Sequence, residues 1–351
     1  MALNDVSFEV RDGEYVCVLG PTGSGKTTLL KLMAGLLKPD QGNIYFDGKP
    51  VNNLSAQNRN AVYVPQQYAL FPHLTVLQNV AFGPLARGNT PSVSLEIATK
   101  TLDLVRLSLR AQALPNELSG GMQQRVALAR GLASGASLLL LDEPLGALDA
   151  RLRLDLRHKL RDIVKQSGFT AIHVTHDQDE AMSVGDEIMV LRDGEIQDYG
   201  PPRRVYRKPA NLFVANMIGG ASFLEGLVDT TVGETALINL RGSLTVQAPS
   251  KTLTLTAPVI LALRKERLRI SRERLRMENV FEGEIRAVRF LGNSKEYVVR
   301  IPNGDVVASR CFAGSEGEFK AGDRVLVGFL EGDSMVFEYP VRGLREELEV
   351  G

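Results

Sequence analysis

The stretch YVCVLGPTGSGKTTLL, Tyr15 to Leu30, constrains the fold of this chain most strongly. YVCVL reads as a stiff, buried strand, and a loop rich in glycine follows at once. Gly20, Gly23 and Gly25 can take φ > 0 and carry no Cβ, so such a loop can turn several N–H groups toward one centre. A helix beginning near Lys26 leaves the N–H groups of its first turn without partners, and its dipole adds partial positive charge there. The order strand, Gly20-x-x-x-x-Gly25-Lys26-Thr27, helix therefore forms a cradle for phosphate. Lys26 adds a full positive charge for the outer phosphates. The Thr27 hydroxyl suits Mg²⁺, a hard cation that takes oxygen ligands. A plain Gly-rich turn is the bland alternative, and the strand context argues against it. The loop alone does not separate kinases, GTPases and ATPases.

The rest of the first part keeps the same alternation. SLLLL (Ser137–Leu141) and TAIHVT (Thr170–Thr175) are short apolar runs followed by polar residues. Parallel strands buried on both faces read this way. In Arg151–Gln166, Leu152, Leu156, Leu160 and Ile163 recur at helical spacing. The expected fold is α/β, with ligand chemistry at the carboxyl ends of the strands. A chain of 351 residues suggests two domains, and the character changes near Gly219-Gly220. Beyond that pair, Tyr297, Val299 and Ile301 alternate with Val298 and Arg300, RVLVGF (Arg324–Phe329) is similar, and Asn303-Gly304 signals a hairpin. This part reads as a small all-β module, a barrel. Residues 264–276 carry seven basic side chains diluted by Glu266 and Glu273, and read as a solvated face.

Lys+Arg and Asp+Glu balance at 41 each, which gives no electrostatic reason to expect a nucleic-acid or anionic-membrane partner. No run approaches the ~18 apolar residues of a membrane span. The N-terminus lacks the basic start and apolar core of a signal peptide. Cys17 and Cys311 stand far apart in sequence and read as reduced thiols of a cytosolic protein.

Asp142-Glu143-Pro144 follows SLLLL. The strand would deliver Asp142 to the sheet end beside the phosphate loop, where it can hold Mg²⁺ through water. Glu143 can then be aimed at an attacking water, which divides the work of phosphoryl transfer between metal and base. In LSGGMQQR, Leu118 to Arg125, Ser119 is a good N-cap, and Gly120 and Gly121 leave the first N–H groups of a second helix uncovered. One nucleotide rarely needs two such sites in one chain. A dimer, in which this helix end meets the γ-phosphate held by the other subunit, is the economical solution.

With these motifs in place, the sequence resembles the ATP-binding cassette (ABC) ATPases, of the importer type with a C-terminal TOBE or OB-like regulatory β-domain. GPTGSGKTT resembles the Walker A loop, LLLLDEP the Walker B strand, LSGGMQQR the signature, PQQYALFPHLTV the Q-loop region, LGALDA the D-loop and HVTHDQDEAM the switch-histidine segment. The resemblance implies a P-loop ATPase domain over residues 1–218, with a helical subdomain at about 68–135, and an OB-like barrel over 219–351. It implies ATP and Mg²⁺ as ligands. Gly20, Pro21, Thr22, Gly23, Ser24, Gly25, Lys26, Thr27 and Thr28 would cradle the phosphates. Thr27, Gln66 and Asp142 would serve the metal, Glu143 would be the general base, and His176 would contact the γ-phosphate. Ser119, Gly120 and Gly121 would act in trans. His173 is given no role, and His73 and His158 read as surface residues.

The resemblance also implies a homodimer at the cytoplasmic face of the cell membrane, seated on integral permease subunits and fed by an extracytoplasmic solute-binding protein. Docking is expected through the region Tyr68–Val80, with Tyr68, Leu70, Phe71, Leu74 and Val76 on that surface; core packing of the helical subdomain is the alternative. The β-domain favours the polyamine, phosphonate or ferric-ion class over sugar importers. A soluble ABC protein of DNA repair or translation is disfavoured by the single signature and the zero net charge. A P-loop kinase or GTPase leaves LSGGMQQR unexplained. Two features depart from the family. The N-terminal segment with its adenine-stacking aromatic does not precede DVSFEV, which predicts weaker ATP binding and an exposed strand edge near Val6–Val10. Gly146 stands where the D-loop usually has Ser, removing a hydroxyl that could reach the partner subunit.

Overall fold

The computed structural model describes residues 2–242, 244–249, 254–314 and 318–349. They fall into two compact units, the first ending at Val205 and the second beginning at Tyr206, ahead of the Gly219-Gly220 pair.

The first unit runs β1 (Tyr15–Leu19), α1 (Lys26–Ala34), a short hairpin of β2 (Tyr45–Phe46) and β3 (Lys49–Pro50), β4 (Ala61–Val64), α2 (Val76–Ala86), α3 (Pro91–Leu104), α4 (Gly120–Ala133), β5 (Leu138–Asp142), α5 (Ala150–Ser167), β6 (Thr170–Val174), α6 (Gln178–Val184), β7 (Glu187–Arg192) and β8 (Glu195–Gly200). The main sheet has the order β4-β5-β6-β1-β7-β8. Its first five strands are parallel, and β8 closes the edge antiparallel to β7. β1 and β5 are buried along their whole length, which is why they carry no polar face. Val16, Val18, Leu140 and Ile172 share a core with Leu29 and Leu30 of α1. On α5 the buried stripe is Leu156, Leu160 and Val164, and the helix ends on left-handed Gly168.

Residues 2–14 form no ladder. Val6, Phe8 and Val10 alternate inward and pack, half-buried, on the sheet core. Phe8 meets Tyr199 edge-on at 6.3 Å, and the Tyr199 hydroxyl donates to Glu9 O at 2.8 Å. The exposed strand edge expected near Val6–Val10 is therefore corrected to an extended segment whose apolar side is covered.

The helices α2, α3 and α4 form a separate core around Val76, Val80, Leu102, Leu107 and Val126. A reciprocal capping box of Thr75 and Gln78 starts α2. Val76 is 0 % exposed, so it belongs to this core and not to a docking surface. Its first-turn position points it at α4, which an apolar run read without its partner helix does not reveal. Phe71 remains half-exposed and packs its ring on the exposed Phe82, with centroids 4.6 Å apart.

After α7 (Pro202–Arg207) and α8 (Leu212–Met217), the second unit continues as β9 (Ser222–Val232), β10 (Thr235–Leu240), β11 (Leu244–Pro249), β12 (Pro258–Leu263), β13 (Arg269–Ser271), β14 (Asn279–Phe290), β15 (Ser294–Arg300), β16 (Val306–Phe312), β17 (Arg324–Phe329), β18 (Ser334–Glu338) and α9 (Leu344–Leu348). Among the described residues these strands make two antiparallel five-stranded sheets, β11-β10-β9-β12-β18 and β13-β17-β14-β15-β16. One core joins them: Leu224, Ile238 and Leu261 of the first sheet with Tyr297, Val299 and Val327 of the second. Gly304, at φ 90, makes the expected turn between β15 and β16. Arg264 departs from the expected solvated basic face. It is 4 % exposed and donates to the carbonyls of Tyr206, Ala215, Ile218 and Gly220, stacked over the Tyr206 ring. Tyr206 lies in α7, Ala215 in α8 and Ile218 at the α8 C-cap, and a guanidinium fork supplies several donors to them from one stem. The other basic residues of 264–276 are exposed, apart from the half-buried Lys265. Cys17 is buried, Cys311 is half-buried, and both are free thiols.

Candidate nucleotide site

The loop between β1 and α1 is held open by its backbone. Gly23 (φ 84) and Gly25 (φ 101) lie in the left-handed region that favours glycine. Gly20 does not; it is glycine because Leu191 O and Ser24 Oγ occupy the space a Cβ would need. Helix α1 has no side-chain cap, so its first N–H groups face the loop. Lys26 folds back over the loop and donates to Gly20 O at 2.8 Å and Pro21 O at 2.7 Å. Burial pulls its pKa down, against the pull of Glu143 and Asp142. The Ser24 N–H closes a turn onto Pro21 O at 3.2 Å, while Ser24 Oγ is buried with no hydrogen-bond partner. An orphaned hydroxyl under an uncapped helix start fits an anion. Thr22 is exposed at the loop's outer turn, and Thr28 is half-buried on the first turn of α1.

Strand β5 ends at Asp142, and its pairing with β6 sets that end beside α1. Thr27 Oγ1 donates to Asp142 Oδ1 at 3.2 Å, and Tyr63 of β4 donates to Oδ2 at 2.9 Å. Burial first, and the bond to Asp142 second, push the Tyr63 phenol well up. Tyr63 is a residue that sequence reasoning missed; its only signal is a polar tip in the strand beside LLLLD. Among the described residues no group of three His, Cys, Asp or Glu could hold a metal. One hydroxyl and one carboxylate suit Mg²⁺, which binds through one or two carboxylates together with substrate phosphates.

Glu143 follows at φ 49, a left-handed conformation rare for a residue with a side chain. Gln66 Nε2 donates to its Oε2 at 2.9 Å, and His176 Nδ1 stands 3.3 Å from its Oε1. Three residues expected at the metal, the attacking water and the γ-phosphate, following β4, β5 and β6, thus stand together, with Gln66 and His176 both at the Glu143 carboxylate. Ser119 caps α4, accepting from Met122 N at 3.4 Å. A Cβ on Gly121 would stand 3.1 Å from Ala147 O, and one on Gly120 would touch the Tyr68 hydroxyl. Among the described residues no hydrogen bond joins Ser119, Gly120 or Gly121 to the loop of residues 20–28. Beneath the site His173 is fully buried, with Nδ1 2.8 Å from the Tyr15 hydroxyl and Nε2 3.5 Å from Glu180 Oε1. Burial holds its pKa below the ordinary histidine value.

Comparison with known proteins gives the family. The ABC transporter family profile matches residues 3–146, and the TOBE domain profile matches residues 261–337. The chain is 39% identical over 334 residues to the spermidine/putrescine import ATP-binding protein PotA of Rubrobacter xylanophilus, covering 93% of this chain and 87% of that protein. It is 42% identical over 303 residues to the Fe(3+) ions import ATP-binding protein FbpC 1 of Rhizobium meliloti, covering 86% and 84%. Among solved structures it is similar to a dimeric ATP-binding cassette, MJ0796, in a post-hydrolysis state with ADP and Pi. That match has a TM-score of 0.54 and 35% identity, and covers 57% of this chain and 91% of the other. No helix among the described residues is long and apolar enough to cross a membrane. The phosphate cradle, the signature helix and the β-domain after them place this chain in the family of ATP-hydrolysing, ATP-binding subunits of ABC importers, with a TOBE domain at its C-terminal end.

Proposed function

We propose that this chain works as a homodimer that closes on two ATP and two Mg²⁺, and that closure drives separate permease subunits at the cytoplasmic face of the membrane. The observation that carries the reading is the convergence of Gln66 and His176 on Glu143, one residue beyond the Thr27–Asp142 pair. Lys26 leaves the carbonyls of Gly20 and Pro21 for the β- and γ-phosphates, and Gly20 to Thr28 supply the cradle. Thr27, Asp142 and Gln66 would hold Mg²⁺, which when bound would neutralise charge developing on the phosphates. Glu143 accepts the proton of the attacking water as the new P–O bond forms and the bond to the β,γ-bridging oxygen breaks. His176 stays on the γ-phosphate side. Ser119, Gly120 and Gly121 serve the nucleotide of the other copy, as their separation from the loop within one chain supports.

Residues 1–218 are assigned the ATPase role, with the helical part at about 68–135, and residues 219–351 the regulatory role. The names of the PotA and FbpC relatives favour a polyamine or ferric ion as cargo, and in the proposed scheme a solute-binding protein delivers it. Docking on the permease falls to the half-exposed Phe71 and its neighbours Tyr68, Leu70 and Leu74. The test is Glu143→Gln. It should lower turnover by about 10²- to 10⁴-fold, the range for a lost general base, while ATP stays bound and the dimer accumulates. Normal turnover in this variant would remove the base from the scheme.

A further inference from the structure

Glu143 is held in its left-handed conformation by three backbone hydrogen bonds. Its N–H donates to Val174 O at 2.9 Å, and its carbonyl accepts from Gly146 N at 3.2 Å and from Gln124 Nε2 at 2.8 Å. The last comes from a side chain that is 5 % exposed. Gln124 uses the other end of the same amide as well: its Oε1 accepts from Ala147 N at 2.9 Å. One buried amide thus spans the turn from Glu143 to Ala147. Backbone in a sparsely populated region persists only where its surroundings over-determine it. Gln124 lies in the second turn of α4, the helix capped by Ser119. No other side chain is recorded as donating to the Glu143 backbone among the described residues.

We propose that Gln124 is a positioning residue for hydrolysis: it fixes the backbone that aims the Glu143 carboxylate, and it ties that backbone to the helix whose tip serves the nucleotide of the partner copy. The inference rests on the reading of Glu143 as the base. It gives a direct route within one chain between the two sites of the dimer. A shift of α4 when its tip meets the partner's phosphate moves Gln124, and with it the orientation of Glu143 at the chain's own site. The side-chain oxygens of Glu143 remain with Gln66 and His176, so Gln124 acts on direction and not on the carboxylate itself.

Two variants of the full-length chain test this. Gln124→Met keeps the length of the side chain and removes both hydrogen bonds. Gln124→Glu keeps an acceptor for Ala147 N–H and turns an acceptor toward Glu143 O. Each is compared with the wild type for ATP Kd, KM and kcat, and each is combined with Glu143→Gln. The expected result is a kcat lower by about ten- to a hundredfold in both single variants, the scale of a small misplacement of a catalytic group, with Kd and KM within about twofold. In the Glu143→Gln background neither change should lower the residual turnover further, because the group being aimed is gone. A purely structural glutamine would instead lower turnover by the same factor in both backgrounds, or raise Kd along with the loss of kcat; either overturns the proposal, as does a kcat within twofold of the wild type. Full turnover in Glu143→Gln alone would remove the base assignment itself, and this proposal with it.

Discussion

Tyr63 donates its hydroxyl to Asp142 Oδ2 at 2.9 Å, from a strand that runs parallel to the one that ends in Asp142. The other oxygen of that carboxylate faces Thr27. The carboxylate plane is therefore fixed from both sides by the protein's own side chains. Partners of this kind orient metal ligands, and losing one typically lowers metal affinity or activity by about 10- to 100-fold.

Tyr63→Phe should accordingly raise the Mg²⁺ concentration needed for half-maximal ATP binding by about tenfold. ATP binding without added metal should change little, because the Tyr63 hydroxyl bonds Asp142 and not the loop. A Mg²⁺ titration of nucleotide binding reads this directly, and an unchanged midpoint would show that Thr27 alone orients the carboxylate.

The buried His173 gives the fold a pH dependence. Its pKa is lowered in the folded state, chiefly by burial and despite Glu180, so the unfolded chain binds the proton more tightly. Stability is then full above the ordinary value of about 6.5 and falls as pH drops through it toward the lowered value, by up to about 1.4 kcal/mol per pH unit. Glu180, Arg157 and Glu143 act on the ring electrostatically, the Tyr15 hydroxyl bonds it, and all four are common to both arms of the comparison. Urea unfolding between pH 5 and 8 should show this slope in the wild type and a shallower one in His173→Gln. Parallel slopes would assign the effect to other groups.

Arg264→Met should destabilise the second unit strongly. It leaves the carbonyls of Tyr206, Ala215, Ile218 and Gly220 without their donor. A buried acceptor left unsatisfied costs about 1–3 kcal/mol, so a loss of ~3 kcal/mol or more is expected. Arg264→Lys should recover only part of it, since an ammonium lacks the planar fork. Calorimetric unfolding of the full chain checks both, and a loss below ~1 kcal/mol in Arg264→Met would mean that water replaces the guanidinium.

What the sequence disclosed follows from where its information is local. YVCVL, the LLLLD run and TAIHV are buried on both faces, so composition alone marks them as strands. Gly23 and Gly25 stand out because positive φ admits few other residues. Tyr297, Val299 and Ile301 declare their face by alternation. What stayed hidden depends on a distant partner. Arg264 has the same formula as its exposed neighbours and differs only in the helix ends it meets. Val76 is apolar whether it faces a permease or α4. Gln124 holds two backbone atoms of the turn after β5 and Tyr63 one carboxylate oxygen, and nothing in QQR or in AVYV announces that. Gly20 was legible as a glycine but for the wrong cause, since Leu191 comes from far along the chain.

Both oxygens of Glu143 are attended, one by the Gln66 amide and the other by the His176 ring. A proton acceptor so engaged is a poor host for water. In the proposed scheme, water gains that carboxylate only in competition with these two side chains, so the pair that aims the base also sets how readily it can be used.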